Sequence, residues 1–349
     1  MITASPTYRH PTPNRSTWQR DFADAITDPA ELLSCLGIGP EWLPAARAAS
    51  ALFPLRVTRS FVARMRHGDP MDPLLRQVLP LGEELVEVAG FGADPVQEST
   101  FRRAPGLLKK YSSRALMVTT GACALHCRYC FRREFPYDEQ SGETGRWDDA
   151  IAALADDPQI TEVILSGGDP LSLGNPRLGA LSQALGRVPQ LESLRIHTRN
   201  AIVLPSRIDS GFVEWLHSLP WRVTIVLHVN HPNELRDDAL DALAKLRGSG
   251  ALLLNQTVLL RTINDDAKTL IDLSRTLHRS GVLPYYLHLL DPVRGSAHWK
   301  VPEQTGVSLI DAMARELPGY LVPKLVRELP GAEAKTVVAA GLKKLVLAQ

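Results

Sequence analysis

The stretch TTGACALHCRYCFRREFPY, residues 119–137, sets Cys123, Cys127 and Cys130 in the spacing C-x3-C-x2-C. Three thiolates are an incomplete set for a closed tetrahedral metal site, which takes four protein ligands. Two chemistries are compatible with them. A zinc ion completed by a histidine would draw on His126, inside the motif, although zinc usually takes paired C-x2-C knuckles and no second knuckle occurs. An iron–sulfur cube on three cysteines would leave one iron without a protein ligand and open to a small molecule. Tyr129 stands just before the last cysteine, and the basic Arg132 and Arg133 follow it.

Other candidates are scattered along the chain. SGGD, with Gly167, Gly168 and Asp169, reads alone as a turn whose glycines admit close backbone approach. His228 and Gln256 end apolar runs, where a satisfied polar residue is ordinary. Lys335, in the small-residue loop PGAEAKT, is one of 39 basic residues and alone reads as solvated.

To act together, these residues need elements that gather them. From about residue 115 short apolar, β-branched runs recur: ALMVTT, TEVILSGGD, SLRIHTR, RVTIVLHV, ALLLNQTVLL and LPYYLHLLD, read as six strands. Amphipathic segments such as DDAIAALADD, RDDALDALAKLRGSG and DDAKTLIDLSRTLHRSG separate them, the last two closing on a glycine suited to a helix C-cap. Alternating strand and helix implies parallel pairing. Polar residues crowd the C-terminal ends of the runs, as SGGD, HTR, LHVNHPNE, NQT and HLLD, where barrels keep their active sites. The expected fold class is therefore α/β, a partial, laterally open (β/α)6 barrel, with an open doubly wound sheet as the alternative. Residues 1–104 are expected as an N-terminal helical region, 105–300 as the barrel core, and 301–349 as a C-terminal extension with a helix, the short apolar run GYLVPKLV and a final apolar stretch.

Bulk properties narrow the function class. The 349 residues are 44% hydrophobic and 22% charged, enough for one large core with an appendage. A balance of 39 basic against 38 acidic side chains gives a net charge of +1, so no nucleic-acid or anionic-membrane partner is expected. The longest charge-free apolar run, residues 251–260, is too short to span a bilayer. The segment MITASPTYRHPTPNRSTWQR lacks an apolar core, so a polar tail is expected rather than a secretory signal. Four cysteines, three of them in one motif, are no disulfide framework, and a reducing, cytoplasmic setting is expected. Cys35, in LLSCLGI, is expected as a small buried hydrophobe.

With these residues in view, the chain resembles the radical S-adenosylmethionine superfamily and, within it, the lysine 2,3-aminomutase family. The likeness runs from FPLRVTRSFVARM near residue 53 through PGLLKKYSSRAL, the cysteine loop, VILSGGDPL, RIHTR, VNHPNE, LLNQTVLLR, PYYLHLLD and GYLVPKLVRELPG to Lys335. It implies a [4Fe–4S] cluster on Cys123, Cys127 and Cys130, with S-adenosylmethionine on the open iron and against Gly167, Gly168, Asp169, His228 and Gln256. It further implies pyridoxal 5′-phosphate carried by Lys335, with Lys110, Tyr111 and Arg114 holding the coenzyme and its phosphate, for which cationic donors are suited.

The substrate this implies is L-lysine, gripped at its carboxylate by Arg132 and at its distal ammonium by Asp291 and Glu328, a pair that selects a cation. The chain departs from the usual family residues at Lys109 and Lys110 (His-Arg), at Glu328 (Asp) and at His288 (Tyr). The reaction implied is the conversion of L-α-lysine to β-lysine. Larger fermentative members carry zinc cysteines in a longer C-terminal region, whereas here no cysteine follows Cys130. That implies the compact branch, which makes (R)-β-lysine for modification of elongation factor P, with a lysyl-transferring synthetase downstream and a flavodoxin- or ferredoxin-type electron donor. The alternatives are an aminomutase for another cationic amino acid such as arginine, a radical enzyme with a different reaction, and a non-catalytic iron–sulfur or zinc binding module. A binding module would have no use for Lys335 or the acidic pair.

Overall fold

The computed structural model describes residues 16–137, 147–332 and 334–338. The tail over residues 1–15 and the final apolar stretch, residues 339–349, lie outside the described residues. One sheet runs in chain order through β1 (Arg102–Ala104), β2 (Leu107–Leu108), β3 (Arg114–Thr120), β4 (Glu162–Gly167), β5 (Ser193–Thr198), β6 (Arg222–His228), β7 (Leu252–Val258), β8 (Leu283–His288), β9 (Lys324–Arg327) and β10 (Thr336–Val337). Strands β3 to β9 are parallel, and the short outer strands pair antiparallel. The six expected strands are β3 to β8.

Strictly sequential order has no point where the winding reverses, which excludes the doubly wound alternative. The two ends of this order are not paired to each other, so the barrel is laterally open. The sheet curls nonetheless. Lys110, just past β2, and Tyr111 reach Glu328, just past β9, with Tyr111 Oη 3.1 Å from its carboxylate. Side chains, not backbone, bridge the gap.

GYLVPKLV supplies a seventh parallel strand, β9, where only a short apolar run was expected. Four residues preceded by Pro323 carry too little alternation to be read as a strand, and pairing with β8 supplies what the local pattern lacks. Likewise β1 falls inside the region expected to be helical, because a three-residue strand leaves no periodicity.

The crossovers are helical: α5 (Asp148–Ala155), α6 (Asn175–Leu185), α7 (Asn200–Val203), α8 (Ser210–Ser218), α9 (Asp238–Gly248), α10 (Ala267–Arg279) and α11 (Glu303–Glu316), after α1 (Thr17–Ala23), α2 (Pro29–Cys35), α3 (Leu43–Leu52) and α4 (Arg59–Val62) near the N-terminus. Helix α10 shows why these segments form. The Asp266 side chain caps its first turn by accepting from Thr269 N at 2.9 Å, and Leu270, Ile271, Leu273, Ser274 and Leu277 form its buried face. It stops before Gly281, which adopts φ 78°.

Helices α1 to α4 bury their apolar faces in the same core as the barrel. Cys35 does not take part: it is exposed, contrary to expectation. Helix α2 turns Pro29, Leu32 and Leu33 inward, and at about 100° per residue Cys35 falls off that face. The N-terminal region also shapes the cysteine loop. His126 N donates to Arg56 O at 2.9 Å and Arg128 N to Gln77 O at 3.0 Å. The buried Arg128 guanidinium grips Glu84 at 2.9 and 2.7 Å, fixing the loop between its cysteines.

Candidate active site

A cavity of about 680 Å³ opens where the parallel strands end, a size suited to ligands and cofactors. Its wall includes Cys123, Cys127 and Cys130; Gly167, Gly168, Asp169, His228 and Gln256; Lys110, Tyr111, Arg114 and Lys335; and Arg132, Asp291 and Glu328. The fold thus brings together the residues to which the resemblance gives a cluster, cofactor or substrate role.

The cysteine loop leaves β3 and is stitched to the end of β4, with Gly168 N donating to Thr120 O at 2.7 Å and Asp169 N to Ala122 O at 2.9 Å. The approach needs glycine: a Cβ on Gly168 would lie 2.5 Å from Ala122 O, and one on Gly167, at φ 124°, 2.5 Å from Thr120 O. Burial, then the neighbouring Cys127, pushes the Cys130 thiol up to about 12. Burial, Asp169 and the other two thiols push Cys123 well up. The three sulfurs therefore feel one another at the cavity wall, an arrangement that an electropositive group would relieve.

His126, the candidate fourth zinc ligand, has Nδ1 2.9 Å from Pro54 O and stacks on Phe53. Among the described residues no group of three or more His, Cys, Asp and Glu side chains is arranged to hold a metal ion. That holds for the three thiols as well. They form no closed single-ion site, and their number and softness fit a cluster that brings its own bridging sulfides.

Asp169 works inside the protein. Its carboxylate accepts from Leu171 N (2.9 Å), Thr198 Oγ1 (2.8 Å), Arg199 N (2.7 Å) and Asn200 N (2.9 Å), tying the end of β4 to the end of β5. What SGGD offers a ligand is the bare glycine backbone. His228 places Nε2 3.0 Å from Tyr129 Oη, and burial followed by the Arg199 charge lowers its pKa to about 3, so it is neutral. Gln256 lies opposite His228 on the adjacent strand.

The far end of the cavity is charged. Arg132 forms a two-point pair with Glu98, Nε and Nη2 each 2.6 Å from a carboxylate oxygen, while Nη1 donates to Ser166 Oγ at 2.9 Å and Gly167 O at 3.2 Å. Lys335 Nζ donates to Glu328 Oε2 at 2.8 Å. Burial opposes ionisation of Glu328, but the Lys335 and Lys110 cations outweigh it and hold its pKa down. Burial pushes Asp291 up to about 7, with Lys335 opposing and Glu328 and Glu98 adding to the rise. Lys110 and Tyr111, which the resemblance implies for the coenzyme, line the cavity and reach Glu328, and Arg114 stacks over the Tyr111 ring at 4.0 Å.

Sequence reasoning missed Glu98 and Arg199, which both line the cavity. Glu98 sits 34 residues before its partner Arg132, at the start of a single 3-10 turn (Glu98–Phe101) too short to show periodicity, and gave no signal. Arg199 did leave one, as the last residue of the polar strand end HTR.

The class follows from barrel and loop together: residues 117–273 match the family model for the Radical SAM superfamily. Whole-chain relatives narrow it. The L-lysine 2,3-aminomutase of Escherichia coli (strain K12) is 46% identical over 334 residues, 95% of this chain and 97% of that protein. The proteins of the same name from Haemophilus influenzae and Clostridium subterminale are 41% and 34% identical, covering 92% and 81% of this chain and 95% and 68% of their own lengths. A radical SAM methyltransferase structure from Sphaerobacter thermophilus aligns over 67% of this chain and 73% of its own at 16% identity and a TM-score of 0.47, too remote to carry an argument. The chain belongs to the L-lysine 2,3-aminomutase family and is an isomerase of the radical SAM class. Membership implies a [4Fe–4S] cluster and S-adenosylmethionine. No helix among the described residues is long and apolar enough to cross a membrane.

Proposed function

We propose that the protein is a pyridoxal phosphate-dependent L-lysine 2,3-aminomutase that converts L-α-lysine to β-lysine in the cytoplasm. The observation that carries this reading is the charge layout of one cavity: the guanidinium of Arg132, the acidic Asp291 and Glu328, and the primary amine of Lys335 paired with Glu328 at 2.8 Å. An amino acid with a cationic side chain complements that layout.

Cys123, Cys127 and Cys130 would hold the cluster; the Gly167–Gly168 backbone, His228 and Gln256 would hold S-adenosylmethionine; Lys335 would carry pyridoxal phosphate, with Arg114 for its phosphate. Bound there, these groups supply a deoxyadenosyl radical to take a hydrogen atom and a carbonyl whose π system can pass an amine nitrogen from C2 to C3. The chain's own part is position. Arg132 holds the carboxylate in a planar fork, Asp291 and Glu328 hold the distal ammonium, and the substrate carbon chain is stretched between fixed ends. Glu328 would share its carboxylate between the substrate ammonium and its own partners Lys335, Lys110 and Tyr111. Arg132 is buried and Asp291 half-buried, which would limit the access of water to the reacting carbons.

We further assign the product as (R)-β-lysine for elongation factor P, with the synthetase partner and a flavodoxin- or ferredoxin-type donor, on the strength of the sequence resemblance. Anaerobic incubation of the reconstituted protein with pyridoxal phosphate, S-adenosylmethionine, dithionite and L-lysine, followed by chiral chromatography, tests this. (R)-β-lysine is the expected product, and turnover of L-arginine in preference to lysine would favour the other cationic-substrate reading.

A further inference from the structure

Arg199 directly follows β5 and has no part in the roles above. Its guanidinium is buried and faces the cysteine loop, with Nη1 donating to Cys127 Sγ at 2.8 Å and to Tyr129 Oη at 2.8 Å. Nη2 donates to Gln77 Oε1 at 2.7 Å and Glu234 Oε2 at 3.0 Å. A guanidinium has five N–H donors, four of them on the terminal nitrogens. All four are committed inside the protein, and the remaining Nε is buried without a partner. Nothing is left to clamp a substrate carboxylate.

The placement is fixed from behind. Asp169 accepts from the Arg199 backbone N–H at 2.7 Å, Glu234 receives Gln77 Nε2 at 3.1 Å and Asn230 N at 3.0 Å, and Asn230 Nδ2 donates to Tyr129 Oη at 2.6 Å. The result is a held cation on one sulfur of the loop. Cys130 receives a backbone N–H from Arg132 and feels the Arg132 and Arg133 charges without a charged N–H on its sulfur.

We propose that Arg199 is a positioning residue for the cluster's electron: its charged N–H···S bond to Cys127 raises the reduction potential of an iron–sulfur cluster on this loop. The inference rests on the iron–sulfur reading of the three cysteines. One-electron reduction adds negative charge that spreads onto the cysteine sulfurs, and a fixed cation in a dry setting favours the reduced form.

The test is a redox titration of reconstituted protein, in which one electron passes from dithionite to the cluster and the reduced form is read by electron paramagnetic resonance. Arg199→Gln should shift the midpoint to more negative potential at full iron and sulfide content, and Arg199→Lys, which keeps the charge, should shift it less. Coincident midpoints for wild type and Arg199→Gln overturn the proposal. Should Arg199→Gln fail to hold a cluster, Glu234→Gln removes the counter-charge while leaving the Cys127 contact. Its midpoint should move to more positive potential, and an unmoved midpoint overturns the proposal equally. Wild-type protein that takes up no iron would contradict the cluster reading itself, an outcome distinct from an unmoved midpoint in a full cluster.

Discussion

Glu98 occupies Arg132 as a substrate carboxylate would: both of its oxygens lie 2.6 Å from the guanidinium, on the Nε–Nη2 edge. With Nη1 committed to Ser166 and Gly167, one N–H of Arg132 remains, so a second bidentate carboxylate enters only by exchange. The same logic holds at the acidic end, where the Lys335 ammonium sits 2.8 Å from Glu328, in the place of a substrate ammonium. The protein's own charges fill the site that lysine would take.

Removing the resident carboxylate should therefore ease substrate entry. Glu98→Gln is expected to lower the KM for L-lysine by roughly 5–30-fold, the equivalent of about 1–2 kcal/mol for a charged hydrogen-bonded contact. Steady-state kinetics on the loaded enzyme checks this, and a raised KM would mean that Glu98 supports Arg132 rather than competing for it.

Asp291 gives the binding step a pH dependence. Its carboxyl, raised to about 7, is neutral below that pH and ionised above it. Only the ionised form attracts an ammonium, so lysine affinity should rise through pH ~7 and level off above it. Burial first, and then the groups facing it, Lys335, Glu328, Glu98 and Lys110, set the position of this limb. Asp291→Asn should abolish the limb and weaken lysine binding by about 2–3 kcal/mol, roughly 30–150-fold. Isothermal titration across the pH range reads both.

Gly168→Ala tests the stitch between the cysteine loop and β4. The new Cβ would meet Ala122 O at 2.5 Å and Gly121 O at 2.7 Å, backbone atoms that can yield only if the loop moves. A loss of about 1–3 kcal/mol in stability is expected, with reduced iron uptake. Denaturant melts and iron analysis check it; a variant with wild-type stability and iron content would show that the close approach is not needed.

Local pattern carried much of this account and long-range pairing the rest. The six strands were legible because each is a buried, β-branched run ending in polar residues, and the alternation with helices fixed their direction. Strand β9 and the β1–β2 hairpin were not, since strands of two to four residues are defined by their neighbours. The cysteine spacing and SGGD announced themselves locally. The turning of Lys110 and Tyr111 to Glu328 did not, because it arises only when opposite ends of a ten-strand order meet. The exposure of Cys35 shows the reverse error: apolar neighbours in sequence said nothing about which side of a two-turn helix it occupies.

The central claim, that one cavity serves a cluster and a coenzyme amine together, is tested most directly by borohydride reduction of anaerobically purified, cluster-reconstituted protein incubated with pyridoxal phosphate, followed by peptide mass mapping. Broad iron–sulfur absorbance together with a phosphopyridoxyl mass on Lys335 is the predicted result. A full cluster with no adduct on Lys335 would contradict the claim.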